Sequence, residues 1–152
     1  MAKDFNEKNL MKELEEDINT SFNAFIPKVI SNLEERSAVW TGFYKCSWKA
    51  STSVIPNNDD VGSFSPWSGI KISAGRTRPT NPKFERRYVI PTFKINLRKT
   101  TTVYISNPVN YPSQAFAASQ RLPEYLSFGI KKTMEESFKD RSVISYRSNA
   151  PN

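Results

Sequence analysis

Cations dominate the residues of this chain that could do chemistry. From Lys71 to Lys99 stand Lys71, Arg76, Arg78, Lys83, Arg86, Arg87, Lys94, Arg98 and Lys99, against one acid, Glu85. Phe84, Tyr88 and Phe93 are interleaved with them. A guanidinium offers phosphate a two-pronged fork, and an aromatic face can stack an unpaired base. Two partners suit such a stretch: a nucleic-acid backbone, or an acidic face on a neighbouring subunit. Arg76, Arg78, Lys83, Arg86, Arg87, Arg98 and Lys99 are therefore the candidate DNA- or subunit-facing residues. No recognition helix or ribonucleoprotein motif accompanies them, so contact with nucleic acid would be non-specific and salt-sensitive. Trp67 sits in a polar setting, between Ser65-Pro66 and Ser68-Gly69. An exposed indole there is a candidate anchor in a partner's pocket.

Catalytic equipment is sparse. Histidine is absent, which removes the commonest general base and the usual zinc ligand. Seven acids lie beyond residue 36, too scattered for a carboxylate metal site. Glu34-Glu35 and Glu135-Glu136 are adjacent pairs, and adjacent residues on a helix point apart. They read as solvated charges. Cys46 is the sole cysteine, so no internal disulfide framework forms, and synthesis in a cytoplasm is expected. There is no phosphate-cradling glycine loop and no Gly-x-Ser-x-Gly. The reading is of a non-enzyme without cofactor or metal.

Charge is unevenly placed. Of the 22 basic and 15 acidic residues, five basic and eight acidic lie within 1–36, so the front is negative and the remainder strongly positive. Such a split suits head-to-tail contact between copies, or a basic surface on nucleic acid with the acidic helix turned away.

One domain is expected from 152 residues. Its hydrophobic fraction of 38% is lean, which suggests that some surface waits for a partner. No apolar run approaches the roughly 20 residues needed to span a bilayer, and the first residues lack the apolar core of a secretory signal. The elements that must position the cations follow from periodicity. Met11, Leu14, Ile18, Phe22, Phe25, Val29 and Leu33 recur at spacings of three and four, which predicts a helix over 5–36. Pro27 should kink it or start a second helix. So long a helix exceeds what one small domain covers, so its front half is expected to meet a partner. Thr41-Gly42 then turns the chain. Tyr44, Cys46, Trp48 and Ala50 alternate with Lys45, Ser47, Lys49 and Ser51, which predicts a strand in 39–55 with one buried and one basic face. Trp48 belongs to the core on this pattern. Residues 56–83, rich in Pro, Gly, Ser and Asn, read as a long loop or partial hairpin. Residues 84–106 read as a β-hairpin, with Phe93, Ile95 and Leu97 on one arm and Val103 and Ile105 on the other. Residues 113–121 suggest a helical turn. Pro123 opens a second helix over 123–140 with Leu126, Ile130, Met134 and Phe138 as its stripe. Residues 143–152 read as a loose or partner-bound tail. The fold class is α+β: a long N-terminal amphipathic helix on an antiparallel sheet, a C-terminal helix and a long β/loop excursion.

The order of these parts resembles the tail-completion, or neck, proteins of tailed bacteriophages. That family carries a stretch like Thr-Gly-x-Leu-x-x-Ser-Trp after its first helix. Thr41, Gly42, Ser47 and Trp48 match it, with Tyr44 in place of the leucine. A later strand of the family ends in Asn followed shortly by Tyr-Ala. Asn107 and Tyr111 match, and Pro112 replaces the alanine. The resemblance implies a virion structural protein, made in the host cytoplasm. It would form a homo-oligomeric ring, taken as sixfold, at the head–tail junction. Its partners would be neighbouring neck and tail proteins, with DNA passing through the lumen and no membrane involved. A tail-terminator or head-closure ring is the nearest alternative. A lone non-specific nucleic-acid-binding protein is the other.

Overall fold

The computed structural model describes residues 6–37, 44–55, 89–109, 121–138 and 144–148. Within them the protein is α+β: one long helix, a small antiparallel sheet and a second helical stretch near the C-terminus. The expected excursion at 56–83, the turn at Thr41-Gly42 and the helical turn within 113–121 lie outside these residues.

Helix α1 runs unbroken over Glu7–Arg36. Asn6 caps it by accepting a hydrogen bond from the Lys8 N–H, 3.1 Å, and Arg36 places a cation in the last turn. Pro27 does not divide it into two helices. Ile26, Val29, Ile30 and Leu33 on either side are all buried, and their packing outweighs the one backbone hydrogen bond that proline removes. Burial is confined to the second half plus Ile18. Leu10 and Leu14 remain 50% and 40% exposed, as the length of the helix anticipates.

The helix ends at a buried relay. Ser37 donates its hydroxyl to the Leu33 carbonyl at 2.6 Å and accepts from the Trp48 indole N–H at 2.8 Å. That relay fixes the next element against the end of α1. Residues Lys45–Ser47 form a 3-10 turn, and only Lys49–Ser51 are strand, β1. The predicted strand is thus shorter than its pattern. Tyr44, Cys46, Trp48 and Ala50 are nevertheless all buried, as the alternation requires. Ser47 is buried too, because the 3-10 turn folds it inward, with its N–H on the Tyr44 carbonyl.

Strand β2, Tyr104–Ser106, pairs antiparallel with β1, with Ala50 opposite Ile105. This corrects the hairpin predicted for 84–106. Among the described residues, the arm containing Phe93, Ile95 and Leu97 is extended but pairs with no strand. Its backbone partners are side chains of α1, so β2 is left to pair with β1.

The second helical stretch begins at Leu122–Glu124, with Pro123 in its first turn. It passes through a π turn, Tyr125–Gly129, and continues as α2, Ile130–Phe138. The extra residue of the π turn shifts the buried face, so Tyr125 and Ile130 are both buried although five apart. Leu126 and Met134 of the predicted stripe only flank the core. α2 packs on α1, where Phe138 meets Phe25 at 5.5 Å between ring centres. The tail is not loose at 144–146. Ile144 and Tyr146 pack on the core, and the Tyr146 hydroxyl donates to the Leu126 carbonyl.

Candidate functional site: a strand clamped to the leading helix

Glu15, Asn19 and Asn23 stand four residues apart on one line of α1. Together they hold the extended segment 91–97. The Asn23 carboxamide accepts from the Phe93 N–H at 2.7 Å and donates to the Phe93 carbonyl at 2.7 Å. The Asn19 carboxamide treats Ile95 the same way, at 2.6 and 3.1 Å. Glu15 accepts from the Leu97 N–H at 2.8 Å. Each asparagine thus presents the donor and acceptor that a neighbouring strand would present.

The repeat works because two rises nearly agree. Four helical residues climb about 6.0 Å, and two strand residues advance about 6.8 Å. The mismatch of about 0.8 Å per rung accumulates along the ladder. The third rung is the one built from glutamate, whose side chain is longer and makes a single bond. The asparagine amides are also tied down along the helix, each donating to the carbonyl one turn earlier: Asn19 to Glu15 and Asn23 to Asn19, both at 2.9 Å.

This clamp orients the side chains of the segment. Phe93 turns inward and meets Phe22 edge to face, ring centres 6.4 Å apart. Thr92, Lys94, Asn96 and Arg98 alternate outward and are exposed. The segment ends in a turn closed by Asn96, whose side chain accepts from the Arg98 N–H and whose carbonyl accepts from the Lys99 N–H. Lys8 and Lys12 of α1 join Arg98 around a shallow groove that also touches Met11, Glu15 and Asn96. Between described residues, the ion pair that the geometry shows is the exposed Lys12–Glu16, 3.8 Å, on α1 itself. Lys94, Arg98 and Lys99 therefore project from a rigid support without being neutralised by a described carboxylate. The structure places Arg98 and Lys99 of the predicted cations here. Arg76, Arg78, Lys83, Arg86, Arg87 and the anchor Trp67 lie outside the described residues.

Elsewhere the polar groups are structural. The Arg36 guanidinium lies over the Tyr125 ring, 4.6 Å from its centre, and joins the end of α1 to the π turn. Burial pushes the Tyr125 hydroxyl above its usual range, against the lowering effect of Thr133, Asn32 and Arg36. Burial raises that of Tyr146 as well. Among the described residues no group of acids and cysteines could hold a metal ion, and no helix is long and apolar enough to cross a membrane. Cys46 is buried within the 3-10 turn, a small core residue as its position in the pattern predicts.

The asparagine ladder was missed by periodicity, which follows apolar residues only. A signal for it exists. Asparagine is a poor helix former, and two of them one turn apart in mid-helix, beside an apolar stripe, mark side chains with a backbone to serve. Comparison with protein-family models, with curated proteins and with solved structures finds no match.

Proposed function

We propose that this protein is a non-enzymatic virion structural subunit that assembles with copies of itself into a ring in the neck of a tailed phage. The observation that carries the reading is the meeting of the two segments on which the resemblance rests. The Asn107 side chain donates to the Tyr44 carbonyl at 2.7 Å, just ahead of Ser47-Trp48. It accepts in turn from the Val109 N–H at 3.2 Å. Asn107 and Ser47 are buried, so the contact is a fixed joint of the fold and not a surface coincidence. Two surface features support an assembling subunit in particular. The front of α1 exposes Leu10 and Leu14, an apolar line one turn apart, among Glu7, Glu13, Glu16 and Asp17. The clamped segment carries exposed Lys94, Arg98 and Lys99. A neighbour's acidic helix and enclosed DNA are both suitable partners for those cations.

Light scattering and negative-stain imaging of the purified chain test this. Ring-shaped particles of several copies are expected, and Leu10→Asp with Leu14→Asp should reduce them to monomers. A wild-type chain that stays monomeric at every concentration, and is missing from purified particles, overturns the proposal. The alternative of a lone nucleic-acid-binding protein rests on the same cations. It requires salt-sensitive duplex binding by the monomer.

A further inference from the structure

The ladder on α1 satisfies only one edge of the extended segment. In a strand, consecutive residues point their N–H and C=O groups to opposite sides. Phe93, Ile95 and Leu97 point theirs at α1. Thr92, Lys94 and Asn96 point theirs the other way. Among the described residues the Asn96 carbonyl closes the following turn, and nothing meets the N–H and C=O of Thr92 and Lys94 or the N–H of Asn96. This edge borders a groove of about 540 Å³ whose far wall is β1 and the residues after it. Lys49, Thr52, Val54 and Ile55 line that wall, and Pro91 to Lys94 line the near one. Among the described residues no carboxylate lines the groove, and Lys94 is exposed on its near wall.

We infer that this groove accepts one extended segment of a partner protein, added as a strand to the open edge at Thr92–Asn96 and bearing carboxylates at alternate positions. The backbone edge supplies the pairing and Lys94 supplies the preference. The four steps from Thr92 to Asn96 give about 14 Å of edge, enough for two pairs of ladder bonds. A second copy docking by this same edge is disfavoured, because antiparallel pairing about the centre sets Lys94 against Lys94. A lysine on an edge is also a common defence against indiscriminate pairing. Here it disfavours basic strands and favours an acidic one. The inference does not depend on a ring in a phage neck.

The test uses the full chain, isotope-labelled, and a capped heptapeptide, Thr-Glu-Val-Glu-Ile-Glu-Thr. In the protein alone, the amides of Thr92, Lys94 and Asn96 should exchange with solvent near their unprotected rates. Saturating peptide should slow them by about tenfold or more, leaving those of Phe93 and Ile95 unchanged. Lys94→Glu, at an exposed position, should weaken binding by about tenfold. A peptide with its glutamates replaced by lysine should not bind, nor should one N-methylated at alternate residues. Four results would overturn the inference: edge amides already protected in the dilute protein, protection that grows with protein concentration alone, equal binding of the N-methylated peptide, or equal binding of the lysine peptide.

Discussion

Asn23→Ala should loosen the clamped segment more than the loss of one half-buried polar side chain ordinarily does. The substitution strips the Phe93 N–H of its acceptor and the Phe93 carbonyl of its donor, both at 2.7 Å. Each such bond contributes about 0.5–1.5 kcal/mol net. The alanine returns about 0.6 kcal/mol through better helix propensity. The balance is a loss of about 0.4–2.4 kcal/mol, centred near 1.4. Phe93 is 6% exposed and packs on Phe22, so any lifting of the segment adds to the loss. Urea unfolding measures the stability, and exchange of the Phe93 amide measures the local opening. The midpoint should fall, and the Phe93 amide should exchange about ten times faster or more, since 1.4 kcal/mol is tenfold in an equilibrium. Thr20→Ala is the control. Thr20 donates only to the Glu16 carbonyl of its own helix and is exposed, so its loss should change stability by no more than about 0.5 kcal/mol. Asn23→Asp divides the ladder further. A carboxylate keeps the acceptor for the Phe93 N–H but faces the Phe93 carbonyl with a second oxygen. If Asn23→Ala is no less stable than Thr20→Ala and the Phe93 amide is unmoved, the ladder does not hold the segment.

The remaining predictions concern the core and its joints. Gly129→Ala should destabilise despite alanine's advantage in a helix of about 1 kcal/mol, because an added Cβ would lie 2.1 Å from the Tyr125 ring; a lowered melting temperature checks it. Trp48→Phe should cost about 1–3 kcal/mol by removing the indole N–H from the buried Ser37 hydroxyl, read by chemical unfolding. Tyr125 and Tyr146 are held protonated by burial, above the ordinary value of 10.0. An unfolded tyrosine ionises first, so the stabilisation is complete below about pH 10 and is lost as pH rises through the folded values. Urea midpoints should hold up to about pH 10 and drop as pH rises above it, and Tyr125→Phe with Tyr146→Phe should flatten that drop. Leu10→Asp, at a half-exposed position, should leave the monomer's unfolding free energy within about 0.5 kcal/mol of wild type, and Leu14→Asp, at 40% exposure, should cost about 1 kcal/mol, both read by urea unfolding.

How far the sequence discloses the fold depends on what holds each part. α1 is legible because its buried residues follow one helical period from Ile18 to Leu33. So is the burial of Tyr44, Cys46, Trp48 and Ala50, since alternation survives even where the backbone is a 3-10 turn. The π turn is not legible. It adds one residue between Tyr125 and Ile130, and a fixed period cannot carry that shift. The hairpin over 84–106 failed for a clearer reason. Phe93, Ile95 and Leu97 alternate as a strand should, but alternation says which face is buried and not what meets the backbone. Asn19 and Asn23 supply that partner from 70 and more residues away. The basic stretch was visible as composition, yet only the clamp explains why Lys94 and Arg98 face outward together.

The central proposal is that this chain is a part of a particle, surrounded there by its own copies. High-resolution imaging of the intact virion, with this chain traced in the density, addresses it most directly. The account predicts a closed ring of identical subunits between head and tail, with Leu10 and Leu14 covered by a neighbour and Arg98 and Lys99 opposite carboxylates or DNA. Density for a single isolated copy, or none at all, with those leucines and cations facing only solvent, would contradict it.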